Sequence, residues 1–202
     1  MKVRIRRTRI AALLIFLIAS YGCREVSVPK PRGHFRIDLP ARHYIQFNAQ
    51  SDANRDIPLT FEYPAYGNLT FQRGKGSDPG WFNIEFPAYK AKIYLTYKDV
   101  KNDLDSLLDQ SYEINVKYHV SKADAIKEKV FSNAEDRVFG ILYDLKGNTA
   151  SAVEFYVTDS ISHYLRGSLY FASEPNADSL APVINFFRED IIHLIETLKW
   201  KK

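Results

Sequence analysis

Asp159, Ser160 and His163 are the residue types of nucleophilic catalysis, since a carboxylate, an imidazole and a hydroxyl can activate one another. With Arg166 they would line a periplasmic pocket that binds, or binds and hydrolyses, a small molecule or glycan. Thr-Asp-Ser, however, is ordinary turn chemistry between two strands, and the sequence has no Gly-x-Ser-x-Gly elbow. The strand that holds Arg166 would also send successive side chains to opposite faces. We therefore expect that the protein has no catalytic residues and is not an enzyme. Binding of a small molecule or glycan in this pocket is the alternative function.

Metal and nucleotide sites find no support in the other motifs. The histidines have neither His-x-x-x-His nor His-x-His spacing, and one cysteine cannot build a soft-metal site. No Gly-x-x-x-x-Gly-Lys or Gly-x-Gly-x-x-Gly segment follows a strand-like stretch. The sequence therefore predicts no metal ion and no cofactor. The histidines concerned are His34, His43, His119, His163 and His193.

The glycine-rich stretch from Gly74 to Trp81 leads into a strand rather than a helix. It is either a flexible loop that ends in a core tryptophan or an exposed aromatic loop that contacts a partner. Because tryptophan is highly buried on average, we expect Trp81 to pack in the core.

Cys23, the one cysteine of the chain, follows a targeting signal. Residues 1–22 carry five basic residues and no acidic one, and an apolar run over residues 10–19 is too short to span a bilayer. Gly22-Cys23 after this run resembles a lipoprotein signal peptidase site, at which the thiol receives a diacylglycerol and the mature protein carries acyl chains such as palmitate. The alternative is ordinary cleavage near Ala19 that leaves a free thiol. A lone cysteine in an exported chain has no disulfide partner, so we expect lipidation of Cys23.

Removing the signal changes the charge of the chain. The full sequence has 28 basic and 24 acidic residues, and without the five basic residues of the signal the mature chain has 23 basic residues against 24 acidic ones. The basic pI thus belongs to the signal, and nucleic acid is not an expected partner, because such binding needs clustered Lys and Arg on a mature face.

The pattern divides the chain into a signal peptide (1–22), a lipid anchor and tether (23–33) and a single globular domain (34–202). Pro29 and Pro31 favour an extended, fairly stiff tether. Basic residues in and beside the tether either contact anionic headgroups or face solvent: Lys30, Arg32 and Arg36. Arg24 and Glu25 leave both the inner and the outer membrane open as the site of anchoring.

Alternating apolar and polar residues predict strands, and turn signals separate them. The predicted strands are Phe35–Leu39, Leu59–Tyr63, Trp81–Phe86, Lys92–Tyr97, Val138–Tyr143, Val153–Val157 and Leu165–Phe171.

Three helices are predicted between and after these strands. The first spans Asn102–Tyr112, and the second opens at a capping box over Ser121–Asp124. The third is capped by Asp178 or Ser179, has Pro182 in its first turn, and repeats apolar residues at helical spacing up to Leu198. The order of elements predicts an α+β fold, a largely antiparallel sheet with helices packed on it, similar to the PsbP and Mog1 arrangement.

Many short segments, in order along nearly the whole mature chain, resemble the GldD gliding-motility lipoproteins of the Bacteroidetes. They are Pro29–Gly33, Phe35–Pro40, Phe61–Pro64, Trp81–Pro87, Ile93–Leu95, Gly147–Asn148, Thr158–Ser160, Arg166–Phe171, Pro175–Ser179 and Glu196–Trp200. The resemblance implies a lipid-anchored envelope protein that works with other gliding lipoproteins and the type IX secretion apparatus, with Cys23 as its lipidation site. It implies no catalytic residue. The expected function is thus a non-catalytic interaction module, held at the membrane through Cys23 with its domain in the periplasm.

Overall fold

The computed structural model describes residues 36–47, 57–72, 76 and 78–201. The predicted signal segment, Cys23, the tether to residue 33, His34 and residues 74, 75 and 77 of the glycine-rich loop lie outside these residues. The strands are β1 (Tyr44–Gln46), β2 (Leu59–Thr60), β3 (Glu62–Pro64), β4 (Asn68–Phe71), β5 (Trp81–Phe86), β6 (Ala91–Asp99), β7 (Ala125–Asn133), β8 (Val138–Lys146), β9 (Ser151–Thr158), β10 (His163–Phe171) and β11 (Lys199–Trp200). The α-helices are α1 (Leu104–Tyr112), which continues as one π-helical stretch over Glu113–Lys117, and α2 (Ala177–Glu196).

A seven-stranded sheet forms the centre of the described part of the chain. Its strand order is β4-β5-β6-β10-β9-β8-β7, and each neighbouring pair is antiparallel. Two short antiparallel pairs, β1 with β3 and β11 with β2, stand beside it. The α+β class with a largely antiparallel sheet is confirmed.

Helix α2 covers one face of the sheet. Phe187 of this helix is fully buried, and its ring lies 4.4 Å from that of Phe86 on β5. Phe82 and Ile84 lie on the face of β5 that α2 covers, as their spacing predicts, and each is 0% exposed. The polar residues between and after them point to the other face. Burial of this many aromatic and aliphatic side chains is the main stabilising contribution to the domain.

Helix α1 and the π-helical stretch lie against the opposite face. Leu107 and Ser111 of α1 are buried, and Asn115 of the π-helical stretch is fully buried against Arg166 of β10. Helix α1 ends at Tyr112 as predicted and begins at Leu104, two residues after the predicted Asn102, with Asp103 at the N-cap position. Both faces of the sheet therefore carry helical elements, although part of the second face stays open to solvent.

The predicted strand Phe35–Leu39 is wrong for its described residues. Residues 36–40 have no regular structure, and Ile37 and Leu39 are 36% and 37% exposed. Alternation gives a strand only where a neighbouring strand completes its hydrogen bonds, and Pro40 also lacks a donor. The first strand is instead Tyr44–Gln46, which pairs with β3. The predicted strand Leu59–Tyr63 is split at Phe61 into β2 and β3.

The helix predicted after Ser121–Asp124 is also wrong. Asp124 donates its backbone N–H to the carbonyl of Lys146 at 2.8 Å, and Ala125–Asn133 forms strand β7, paired with β8 at all nine positions. The capping-box pattern is local, whereas the unpaired edge of β8 offers hydrogen bonds along its whole length. Tertiary pairing therefore overrides the local signal.

Two details of α2 differ from the prediction. The N-cap is Asn176, whose side-chain oxygen accepts from the Ser179 backbone N–H at 3.2 Å, rather than Asp178 or Ser179. The helix consequently starts earlier, and Pro182 lies inside it rather than in its first turn.

Trp81 is 37% exposed, so the prediction that it packs in the core is wrong. Since Phe82, Ile84 and Phe86 face the core, period-two alternation places Trp81 on the opposite face of β5.

Candidate functional site

A buried glutamate stands on the sheet face that carries α1. Glu154 lies in the middle of β9 between Val153 and Phe155, and its side chain is 0% exposed. Val153 and Phe155 face the core on the other side of the sheet, so alternation directs Glu154 toward the helical segment above it. A charged side chain in this position needs partners, because its desolvation costs several kcal/mol.

The partners come from β10 and from the helical segment. Arg166 donates through Nη2 to Glu154 Oε2 at 2.9 Å, and Ser168 donates its hydroxyl to the same oxygen. Arg166 Nε donates to Asn115 Oδ1 at 3.2 Å, and Asn115 Nδ2 donates to Ser111 Oγ at 3.2 Å. We refer to these residues, Glu154, Arg166, Ser168, Asn115 and Ser111, as the Glu154 cluster.

His119 joins the Glu154 cluster from the turn that follows the π-helical stretch. Its Nε2 lies 3.9 Å from Glu154 Oε1, and the residue is 8% exposed. Its backbone carbonyl accepts from the N–H groups of Lys122 and Ala123, which closes the turn. The cluster and His119 therefore fix the path of the chain from α1 through this turn into β7.

The electrostatics of the Glu154 cluster favour a structural role. Burial raises the pKa of Glu154, and the Arg166 guanidinium and the Ser168 hydroxyl only partly offset this effect. The Arg166 side chain is 23% exposed, so the charge pair reaches water through the arginine. The arrangement can hold a helical segment on a sheet, because every hydrogen bond of Arg166 described above ends on the protein itself.

A second buried carboxylate fastens the start of the described chain to α2. Asp190 of α2 is 0% exposed at its side chain and accepts from the Tyr44 hydroxyl at 2.8 Å and the Tyr66 hydroxyl at 2.5 Å. Arg42 donates to Asp190 at 3.3 Å, and its guanidinium lies 4.6 Å from the ring centre of Phe186. Burial raises the pKa of Asp190, while the two tyrosines and Arg42 oppose the shift. Strand β1 is thereby fixed to the closing helix.

The four residues of the predicted pocket do not converge. Asp159 accepts three backbone N–H bonds within its own loop, from Ile161 at 2.9 Å and from Ser162 and His163 at 2.8 Å each. Burial raises the pKa of Asp159, but these three bonds outweigh it and the pKa lies below its usual value. This confirms turn chemistry at Asp159.

His163 and Arg166 point to opposite faces of β10. The His163 ring stacks on Trp200 with ring centres 5.2 Å apart, and its Nδ1 lies 2.8 Å from the Tyr97 hydroxyl, on the side of the core. Arg166 instead belongs to the Glu154 cluster on the other face. The pocket hypothesis built on Asp159, Ser160, His163 and Arg166 is therefore wrong.

Residues of the Glu154 cluster line neither of two open clefts of about 430 and 400 Å³, although Tyr94 of the second cleft is the cross-strand neighbour of Ser168. The first is lined by charged residues of both signs, among them Asp78, Lys98 and Asp99. The second contains Lys92, Tyr94 and Tyr170, with Tyr94 and Tyr170 in edge-to-face contact at 5.5 Å. Among the described residues, no group of three or more histidine, cysteine and carboxylate side chains is placed to hold a metal ion.

The Glu154 cluster was not predicted, although the sequence contains a pattern that indicates it. Glu154 interrupts an apolar strand, and Arg166 and Ser168 interrupt the next one, two residues apart. Opposite charges at matching parity on neighbouring strands indicate a shared face. The contribution of Asn115 had no such signal, because it depends on how the helical segment crosses the sheet.

Comparison with known proteins shows a family and a likeness of fold. A family model described as "Gliding motility lipoprotein GldD" matches residues 24–200. No curated protein matches the chain significantly. The solution structure of cyanobacterial PsbP (CyanoP) from Synechocystis sp. PCC 6803 is similar at 12% identity, with a TM-score of 0.46, over 82% of this chain and 97% of that one. This likeness concerns the fold and carries no argument about function.

Proposed function

The chain belongs to the GldD family of gliding motility lipoproteins, and on this basis we propose that it is a non-catalytic interaction module of the gliding machinery, anchored by lipid at Cys23. The module stands in the periplasm and associates with other gliding lipoproteins and with the type IX secretion apparatus. Its role is to hold a folded surface at a set distance from the membrane.

One observation carries this proposal, the extent of the family match. It begins at residue 24, immediately after Cys23, and runs to residue 200. The match thus covers nearly all of the proposed mature chain, and the segment before it has the basic and apolar regions of an export signal. None of the helices among the described residues combines the length and apolar character needed to cross a bilayer.

The polar clusters support the non-catalytic part of the proposal. The buried carboxyl groups of Glu154 and Asp190 are both engaged in joining helices to strands. A catalytic carboxylate would instead face a cleft that a substrate can reach. The two clefts described above are lined by other residues.

The decisive experiment removes the proposed lipidation site and leaves the folded domain intact. In a gliding host strain, Cys23→Ala at the chromosomal locus is expected to release the chain from the membrane fraction, with loss of gliding and reduced type IX secretion. A matched control, Ser27→Ala in the tether, should leave all three unchanged. Mass spectrometry of the native amino terminus should find acyl chains on Cys23. An unmodified amino terminus, or normal gliding in the Cys23→Ala strain, would refute the proposal.

A further inference from the structure

The end of the main sheet at which β6 begins collects several chain segments. Residues Ala91 of β6, Phe171 of β10, Lys146 of β8 and Ala125 of β7 all lie there, because these strands are antiparallel neighbours in register. We refer to it as the proximal end. The opposite end carries Asp99, His163, Val138 and Asn133.

The described chain begins at the proximal end. Tyr89, in the turn between β5 and β6, donates its hydroxyl to the backbone carbonyl of Asp38 at 3.0 Å. Arg36 is the first described residue, and it lies thirteen positions after Cys23. An extended chain of this length reaches at most about 45 Å. An anchor at Cys23 therefore keeps the proximal end within that distance of the bilayer.

Large apolar side chains are exposed in two places at or beside the proximal end. Tyr118 and Val120 are 70% and 62% exposed in the turn that leads into β7 at Asp124. Ile37 and Leu39 are 36% and 37% exposed beside Tyr89. The strands nearest to these two places, β6 and β7, are four strand spacings apart in the sheet, or about 20 Å. Two places at this separation can contact one flat surface at the same time.

The Tyr118–Val120 turn is held rigidly rather than loosely attached. His119, between the two exposed residues, is directed inward to Glu154, and the backbone N–H groups of His119 and Val120 both donate to the carbonyl of Val116 at 3.0 Å. With His119 held inside, Tyr118 and Val120 project outward. The Glu154 cluster therefore presents these side chains to whatever faces the proximal end.

We propose that the Tyr118–Val120 turn rests on the lipid surface of the membrane that anchors the chain, so that the proximal end faces the bilayer. This inference depends on the proposed anchoring through Cys23. The exposed lysines Lys117, which pairs with Glu113 at 2.8 Å, and Lys122 flank the turn, and a tyrosine with a neighbouring lysine is the composition that favours the headgroup region. The short tether raises the local concentration of lipid at this turn, so even a weak contact is populated.

The chain offers a matched pair of positions for the test. Val120 and Val130 are the same residue type and are 62% and 69% exposed, but Val130 lies well along β7 toward the opposite end. In the full acylated chain Cys23 carries its lipid, so a cysteine introduced as Val120→Cys or Val130→Cys is the one free thiol. Each variant is spin-labelled and reconstituted in vesicles of phosphatidylethanolamine and phosphatidylglycerol. Collision with lipid-soluble oxygen and with a water-soluble nickel chelate is then measured.

On vesicles, compared with detergent, we expect the label at residue 120 to become several-fold less accessible to the nickel chelate and more accessible to oxygen. The accessibility of the label at residue 130 should stay unchanged. Flotation of the vesicles reports anchoring separately. If the chain floats but the two labels respond alike, the membrane contact is refuted while the anchor stands. If the chain fails to float, both the anchor and the contact are refuted. Protection at residue 120 that requires added envelope protein would assign the turn to a protein partner and also refute the contact.

Discussion

Arg166→Met tests whether the Glu154 cluster owes its stability to compensation of a buried charge. Methionine keeps much of the arginine stem but removes the guanidinium that lies 2.9 Å from Glu154. Breaking a buried ion pair by removing one partner costs about 3–5 kcal/mol, because the other charge stays buried. Since Arg166 is 23% exposed and Glu154 is 0% exposed, water can reach the vacated site, and we expect a cost of about 3 kcal/mol at neutral pH.

A second variant, Glu154→Gln, isolates the effect of the buried charge. Glu154→Gln removes the buried charge while it keeps the shape of the side chain, so in that background Arg166→Met should cost only about 1 kcal/mol for lost hydrogen bonds. The cycle is measured by urea unfolding of the chain without residues 1–23, followed by circular dichroism. Equal costs of Arg166→Met in both backgrounds would show that the Glu154 charge is not the cause.

The pH dependence of this pair has a definite sign. Burial raises the pKa of Glu154 in the folded state, so its stabilising contribution is fully present below its unfolded pKa and is lost as the pH rises through the folded pKa. Removing Arg166 raises the folded pKa of Glu154 further. The cost of Arg166→Met should therefore shrink as the pH falls from neutral toward about 4.3, the ordinary glutamate value, and should stay flat with Glu154→Gln present.

Three further substitutions test other parts of the structure by the same unfolding assay. Asp190→Asn should cost about 1–3 kcal/mol, because an amide cannot accept from both tyrosine hydroxyls and pair with an arginine; no change would contradict the role of Asp190 in fixing β1. Gly140→Ala should cost about 1–3 kcal/mol, since the new Cβ would lie 2.0 Å from the Tyr156 carbonyl oxygen; a neutral result would mean that β8 and β9 separate readily. Trp81→Ala should cost about 1 kcal/mol or less and its neighbour Phe82→Ala about 3–5 kcal/mol, and similar costs would refute their assignment to opposite faces.

The strands that the sequence predicted well are those whose pairing and burial agree. Trp81–Phe86, Val153–Val157 and Leu165–Phe171 alternate cleanly, and each lies within or forms a strand of the main sheet. The strand Ala125–Asn133 was not predicted, because only five of its nine residues are apolar or small and the others are charged or amide side chains. Pairing with the edge of β8 decides its conformation instead. The failed strand at residues 36–40 shows the converse, since alternation without a neighbouring strand is insufficient.

The site shows the same division. Cys23 and the export signal follow from local chemistry, namely a lone thiol after a basic and an apolar region, and they stay a prediction because they lie outside the described residues. The proximity of Asp159, Ser160 and His163 in sequence suggested chemistry that the sheet does not bring together. By contrast, Arg166 and Asn115 lie 51 positions apart and meet only across the fold.

The sequence alone predicted the family of this chain, its α+β class and the apolar face of its central strands, because each of these depends on residue type and short-range spacing. Tertiary structure alone decided that Glu154 meets Arg166 and Asn115, that β7 is a strand, and that Trp81 faces outward rather than into the core. The physical reason is that hydrogen bonding and desolvation are settled between elements distant in sequence, where one buried charge or one unpaired strand edge outweighs local preference.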